Sequence, residues 1–170
     1  WKSNKCRFYS EWDKYRKIAE KKIYLSPIIK NGVYTISSAL DSKKVLDISV
    51  GSKKDGANLQ LWDFNKSPAQ RFQINYLSEG YYEIKAMCSG KYLDVEGGKK
   101  ERGTTVQQYQ GSNTDSQKWL IKSAGNGYYY IISKCNDLYF DVSGARVKNG
   151  TNINVLGFNG SKAQKFKIFN

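Results

Sequence analysis

One string of residue types returns three times along this chain at a fixed interval. Asp47, Asp94 and Asp141 are separated by 47 residues, as are Gly56, Gly103 and Gly150, and Gln70, Gln117 and Gln164. Each copy opens alike, on Gly32-Val33-Tyr34-Thr35-Ile36, Gly80-Tyr81-Tyr82-Glu83-Ile84 and Gly127-Tyr128-Tyr129-Tyr130-Ile131. Each also closes alike, on Gln70-Arg71-Phe72, Gln117-Lys118-Trp119 and Gln164-Lys165-Phe166. Independent markers that keep one period do not arise from composition, and internal repetition decides the architecture before any single residue does.

Within a copy the apolar residues alternate, as in Tyr34 and Ile36, Leu59 and Leu61, Tyr82 and Ile84, or Phe166 and Ile168. A period of two belongs to a half-buried strand, and helical spacing is absent there. Ser89-Gly90, Asn149-Gly150 and Asn159-Gly160 supply turn residues between the runs. About four strands fit in each copy. Three such copies left open would expose unpaired edges, so closure about a three-fold axis is the economical solution, which makes the expected fold an all-β β-trefoil. The repeats run 32–79, 80–126 and 127–170. Phe72, Trp119 and Phe166 are then equivalent core residues, and the Gln two places earlier faces the other way along the strand.

Residues 1–31 stand apart as an N-terminal segment. Phe8, Trp12, Tyr15, Ala19 and Ile23 recur at helical spacing, Ser10 with Asp13 resembles a capping box, and Ser26-Pro27 is a stop, so an amphipathic helix of about four turns is expected. The chain begins at Trp1 rather than Met and shows no signal peptide, as expected of a piece of a longer polypeptide whose other domain lies upstream. No apolar run reaches membrane-spanning length.

The formal net charge is +13. Residues 1–31 carry nine Lys/Arg against three Asp/Glu, and the remainder nineteen against twelve. Such a balance attracts anionic polymers, whether nucleic acid, acidic glycans or cell-wall phosphate polymers. Lys43-Lys44, Lys53-Lys54 and Lys99-Lys100 fall in expected turns. Cys88 and Cys135 occupy the same place in copies two and three, so pseudo-symmetry holds them apart, and both are expected to be free and buried.

The Gln-x-Phe/Trp endings, in register with Leu46-Asp47-Ile48, Leu93-Asp94-Val95 and Phe140-Asp141-Val142, resemble the ricin-type trefoil lectin family. That family's usual cysteine positions are not cysteine here. The resemblance implies a carbohydrate-binding module of a secreted bacterial protein, outside the cell or on its surface. It favours galactose or N-acetylgalactosamine ends, with xylan-like or mannose-type glycans as other candidates.

A sugar offers hydroxyls around its rim and a face of C–H bonds, which a carboxylate, an amide and an aromatic ring can read together. Carried over from the resemblance, Asp47 accepts from hydroxyls in copy one, Trp62 is the stacking platform and Gln60 supports them. Asn65 substitutes for an Asn that the family places before the last Gln, where Ala69, Ser116 and Ala163 stand here. Gln70 ties the loop to Asp47. Copy two offers Asp94, Gln107 and Tyr109, with Asn113 and Gln117. Copy three keeps Asp141 and Asn154, but Leu156 replaces the ring and the direction of Phe158 is open, so that site is expected to be degenerate.

The chain has no His, which removes the commonest general base and most zinc sites. No Ser or Cys lies in a nucleophile motif, and the three-fold axis disperses the repeated Asp residues, whereas a glycosidase needs two carboxylates about 5 to 9 Å apart. A non-catalytic sugar-binding module without cofactor or metal is the first reading. Charge-driven binding to an anionic polymer is the second.

Overall fold

The computed structural model describes residues 26–170; the helix expected near the N-terminus lies outside them. Copy one contributes β1 (Gly32–Ser38), β2 (Lys44–Ile48), β3 (Ala57–Asp63) and β4 (Phe72–Ser78). Copy two contributes β5 (Tyr81–Ala86), β6 (Tyr92–Val95), β7 (Thr104–Tyr109) and β8 (Trp119–Gly125), and copy three β9 (Tyr128–Ser133), β10 (Tyr139–Val142), β11 (Thr151–Leu156) and β12 (Phe166–Phe169).

The pairings close on themselves twice. β1 pairs with β4, β4 with β5, β5 with β8, β8 with β9, β9 with β12 and β12 with β1, a ring of six antiparallel strands. The hairpins β2–β3, β6–β7 and β10–β11 cap one end, where β3, β7 and β11 pair with one another in a triangle. The ring leaves the barrel without a free strand edge, the outer strand of each cap hairpin meets it at one residue pair, and together the two closures make a β-trefoil.

Strand alternation places the core as the period of two requires: Phe72 and Ile74 on β4, and Tyr82, Ile84 and Ala86 on β5, point inward. Phe72, Trp119 and Phe166 are fully buried. The Trp119 ring meets Phe140 edge-on at 4.6 Å, Phe140 meets Phe166 at 6.2 Å, and Trp119 Nε1 donates to the Leu93 carbonyl at 3.2 Å. The chain joins this packing before β1 begins. Ile29 is buried in the core and its amide donates to the Tyr82 hydroxyl, while Asn31 accepts from the Tyr76 amide.

Three expectations need correction. Gln70, Gln117 and Gln164 do not alternate with the core residues along a strand; each ends a short 3-10 turn ahead of the strand and is itself buried. Lys44 is not in a turn but opens β2, where Asp63 and Asn149 hold its ammonium at 2.7 Å each. Cys88 and Cys135 are free but only half-buried, because each sits on a turn at the surface rather than on a core-facing strand position.

Candidate functional site

Two clefts have the same construction, each assembled from the cap hairpin of one copy, the 3-10 turn before its last strand, and the first turn of the next copy. The copy-one cleft, about 700 Å³, is floored by Asp47 and Gln60 and walled by Val50, Trp62, Pro68, Met87 and others. Asp47 on β2 lies opposite Gln60 on β3, and Gln60 Nε2 donates to Asp47 Oδ1 at 3.0 Å. Gln70 Nε2 donates to Asp47 Oδ2 at 3.1 Å and to the Asp63 carbonyl at 2.9 Å, while Gln70 Oε1 accepts the Asn65 amide at 2.8 Å. Gln70, carried over with the sugar-binding residues, is thus buried as the tie between the loop and Asp47. Asn65 lines the cleft, and its Oδ1 accepts the Ser67 amide at 2.9 Å.

Burial pushes the Asp47 carboxyl above its ordinary range, and the hydrogen bonds from Gln60 and Gln70 oppose that only in part. Each oxygen already accepts one protein donor and keeps a second lone pair, so the group can still take a hydroxyl on each side. Trp62 is 38% exposed on the rim. The cleft thus sets a carboxylate on its floor beside a half-exposed ring at its edge.

The copy-two cleft, about 500 Å³, contains Asp94, Gln107 and Tyr109 in the equivalent places. Asp94 lies opposite Gln107, whose Nε2 donates to Oδ1 at 3.3 Å. The second oxygen is held differently. Ser116 Oγ donates to Asp94 Oδ2 at 2.9 Å and is linked at 2.8 Å to Thr114, which is linked at 2.8 Å to Ser112. Gln117 braces the loop through the Gln110 carbonyl and the Ser112 amide. Burial again raises the Asp94 carboxyl, against hydrogen bonds from Ser116, Gln107 and Gln117.

Asn113 does not join this cleft. It lies in a neighbouring depression with Tyr92 and Glu83, in a left-handed turn position at φ 53°. The 47-residue interval explains it, since Asn65 corresponds to Ser112 and Asn113 to Lys66, which has φ 64°. Copy three lacks the platform. Leu156 is half-buried opposite Tyr139, and Phe158, though 61% exposed, packs against Tyr130 and Tyr139 at 5.5 and 5.1 Å. Asn154 stands opposite Asp141, but its buried Oδ1 has no partner among the described residues.

Several lining residues escaped the sequence pattern: Ser116, Val50, and the contributions of the following copy, Met87 and Cys88 to the first cleft and Cys135 to the second. Backbone bonds from Met87 N to the Arg71 carbonyl and from Lys134 N to the Lys118 carbonyl, both 2.9 Å, bring those turns over the clefts. The equal spacing of Cys88 and Cys135 was the available signal. Among the described residues no group of three His, Cys, Asp or Glu could hold a metal ion, and no helix is long and apolar enough to cross a membrane.

The chain is similar to the designed three-fold symmetric protein ThreeFoil, with 30% identity over 82% of this chain and 99% of that one, and a TM-score of 0.80. It is also similar to the exo-β-1,3-galactanase 1,3Gal43A from Clostridium thermocellum, with 28% identity, 85% of this chain but only 31% of that one, and a TM-score of 0.78. The ricin B-like lectin of Macrolepiota procera, solved in complex with lactose, shares the fold at 18% identity over 85% and 99% of the two chains, TM-score 0.72. No curated protein matches. The family model for the ricin-type beta-trefoil lectin domain-like proteins matches residues 24–109 and 68–156. With the repeats, the double closure and the Asp-Gln floors all in register with that match, the chain belongs to the ricin-type beta-trefoil lectin domain-like family.

Proposed function

We propose that this chain is a non-catalytic sugar-binding module that attaches a parent protein to glycans outside the cell, through the clefts of copies one and two. The observation that carries the reading is the recurrence, in two clefts, of a buried hydrogen-bonded carboxylate with a half-exposed aromatic ring at its rim, Asp47 with Trp62 and Asp94 with Tyr109. Galactose or N-acetylgalactosamine ends are the favoured class. In support, the Macrolepiota procera lectin is in complex with lactose and the earthworm R-type lectin C-half in complex with GalNAc. The galactanase supports attachment to a larger protein, because the similar part is a minor share of that chain.

The carboxylates argue against hydrolysis within this segment. Copy one lines its cleft with a single one, short of the pair that glycoside hydrolysis uses. Copy two adds Asp115, but Lys134 and Lys118 both engage its Oδ1, at 3.2 and 3.3 Å, and tie that carboxylate up in ion pairs.

Each shallow cleft alone should bind on the order of millimolar, with useful affinity coming from both acting on one surface. A glycan array followed by titration with free galactose tests the reading. Selective binding displaced by galactose is the expected result, and a folded chain that binds no neutral glycan overturns it.

A second reading, attraction of an anionic polymer or acidic glycan, is favoured by Lys53, which is exposed on the wall of the copy-one cleft next to exposed Lys54. Lys44 and Lys99 contribute less, being paired with Asp63 and Glu96. Salt separates the two readings. Charge-driven binding falls steeply between about 50 and 200 mM salt, whereas a stacked neutral sugar is nearly indifferent.

A further inference from the structure

The turn that follows the Asp-bearing strand is built differently in copy one. In copies two and three its middle residue is glycine, Gly97 at φ 63° and Gly144 at φ 62°. In copy one it is Val50, in the same left-handed conformation at φ 50° and ψ 22°. That region disfavours any side chain, and a β-branched one most, because its substituents crowd the backbone. The fold gains nothing visible in return: Val50 is 94% exposed and takes no part in the core.

Its isopropyl group lines the cleft instead, together with Trp62, Pro68, Ala69 and Met87. One interval of 47 residues on, the same positions hold Gly97, Tyr109, Asp115, Ser116 and Lys134. Carboxylate, amide and ring persist between the clefts, while an aliphatic wall in the first becomes glycine, hydroxyl and charge in the second. Met87 is itself 47% exposed, so two apolar side chains, one of them on a strained backbone, are left against water in the lining of the cleft that holds Asp47.

Water at such a wall is released only when ligand carbon covers it. A ligand hydroxyl placed there would lose its hydration and find no acceptor on Val50 or Met87. We propose that Val50 and Met87 form a methyl-recognising subsite, so that Val50 sets the specificity of copy one for a sugar carrying a methyl group, either the deoxygenated exocyclic carbon of a 6-deoxy sugar or the methyl of an acetyl substituent. Copy two has no such subsite. The inference rests on the sugar-binding reading above and adds to it the ligand chemistry of one cleft.

The test titrates the full chain with galactose, D-fucose (galactose with methyl in place of hydroxymethyl) and N-acetylgalactosamine, following the Trp62 indole NMR resonance, which reports copy one alone. At least one methyl-bearing sugar should bind copy one about five- to tenfold more tightly than galactose, and which one does so identifies the source of the methyl. Val50→Gly should abolish that preference with a melting temperature unchanged or raised, since glycine suits the backbone conformation. Val50→Ala, which keeps the backbone and loses the branched methyls, should reduce the preference as well. Equal affinities for the three sugars, a preference that survives Val50→Gly, or a melting temperature that falls in that variant each overturn the proposal while sugar binding stands. No response to any sugar, here or on the array, takes down both readings.

Discussion

The clefts of copies one and two share a floor and differ in their walls. Each floor is an Asp on the first cap strand, hydrogen-bonded by a Gln across the hairpin, with a bulky ring two residues beyond that Gln. The walls keep Gly51 and Gly98, and Cys88 and Cys135, but diverge at Val50 against Gly97, Pro68 against Asp115 and Ala69 against Ser116, and Met87 of the first wall corresponds in sequence to Lys134. Residues that close the trefoil are tied to its symmetry, because changing one would break a pairing that the other copies also need. Val50, Met87 and Pro68 take no part in the strand pairings that close the trefoil and are released from that constraint. A repeat therefore predicts where a site lies better than what it binds.

The largest expected effect acts on the shared floor. Burial, acting against the side-chain hydrogen bonds, raises both Asp47 and Asp94 above the ordinary carboxylate value of 3.8. A protonated carboxyl can no longer accept from hydroxyls on both oxygens, so sugar binding should be lost in both clefts as pH falls through the raised pKa values, before 3.8 is reached. The fold responds with the opposite sign. These carboxylates cost stability while charged, and their protonation in that window relieves the cost. The surface carboxylates Asp55, Asp63 and Asp115 are lowered by their Lys partners, so their contribution is lost only below 3.8, as pH falls through their folded values. Binding should thus vanish while the domain is still folded, which titration calorimetry and circular dichroism between pH 7 and 3 would show. Binding that persists until the fold itself melts would remove Asp47 and Asp94 from the site.

The next effect separates the clefts. If Trp62 and Tyr109 are platforms, Trp62→Ala should cost copy one, and Tyr109→Ala copy two, about 1 to 3 kcal/mol each without harming the fold. The double variant should lose attachment to a multivalent glycan surface by about 10² to 10⁴-fold, well beyond either single change. Surface plasmon resonance on a glycan-coated chip reads both. Undiminished attachment of the double variant would mean that these rings are not the platforms, and would move attention to the basic turns or to Phe158.

The sequence disclosed the scaffold because the scaffold is periodic. Three Gln-x-aromatic endings and three Asp-bearing strands fix four strands per copy, the closure and the buried Phe72, Trp119 and Phe166 without reference to any contact. The floor residues were legible for the same reason. The walls were not, because each cleft borrows from the next copy: Met87 and Cys88 lie more than 20 residues after Trp62 and arrive through the closed β4–β5 pairing. Asn113 misled because it is the nearest Asn in its loop, whereas the register places Ser112 there. Val50 stood out in sequence only as the non-glycine of the Val50, Gly97, Gly144 register, and its backbone angle and exposure are what give that difference meaning.

The smallest effect concerns the one floor contact that differs. In copy one the second carboxylate oxygen takes Gln70 Nε2 at 3.1 Å, and Ala69 beside it is inert. In copy two that oxygen takes the Ser116 hydroxyl at 2.9 Å, the end of a chain of hydroxyls running through Thr114 and Ser112. Ser116→Ala should weaken sugar binding in copy two by about 1 kcal/mol, since a donor that orients a buried carboxylate is gone. It should also lift the Asp94 carboxyl further, because the hydrogen bond that most opposes its burial is removed. Copy-two binding in this variant should therefore disappear at a higher pH than in the unmutated chain, a shift that NMR titration of the Tyr109 ring resonance reads, with the Trp62 resonance of copy one as the unmoved reference. Ala69→Ser is the reciprocal change. By adding a donor near Asp47 it should shift the acid limit of copy one downward, and a limit unmoved in both variants would show that the hydroxyl at this position does not tune the carboxylate.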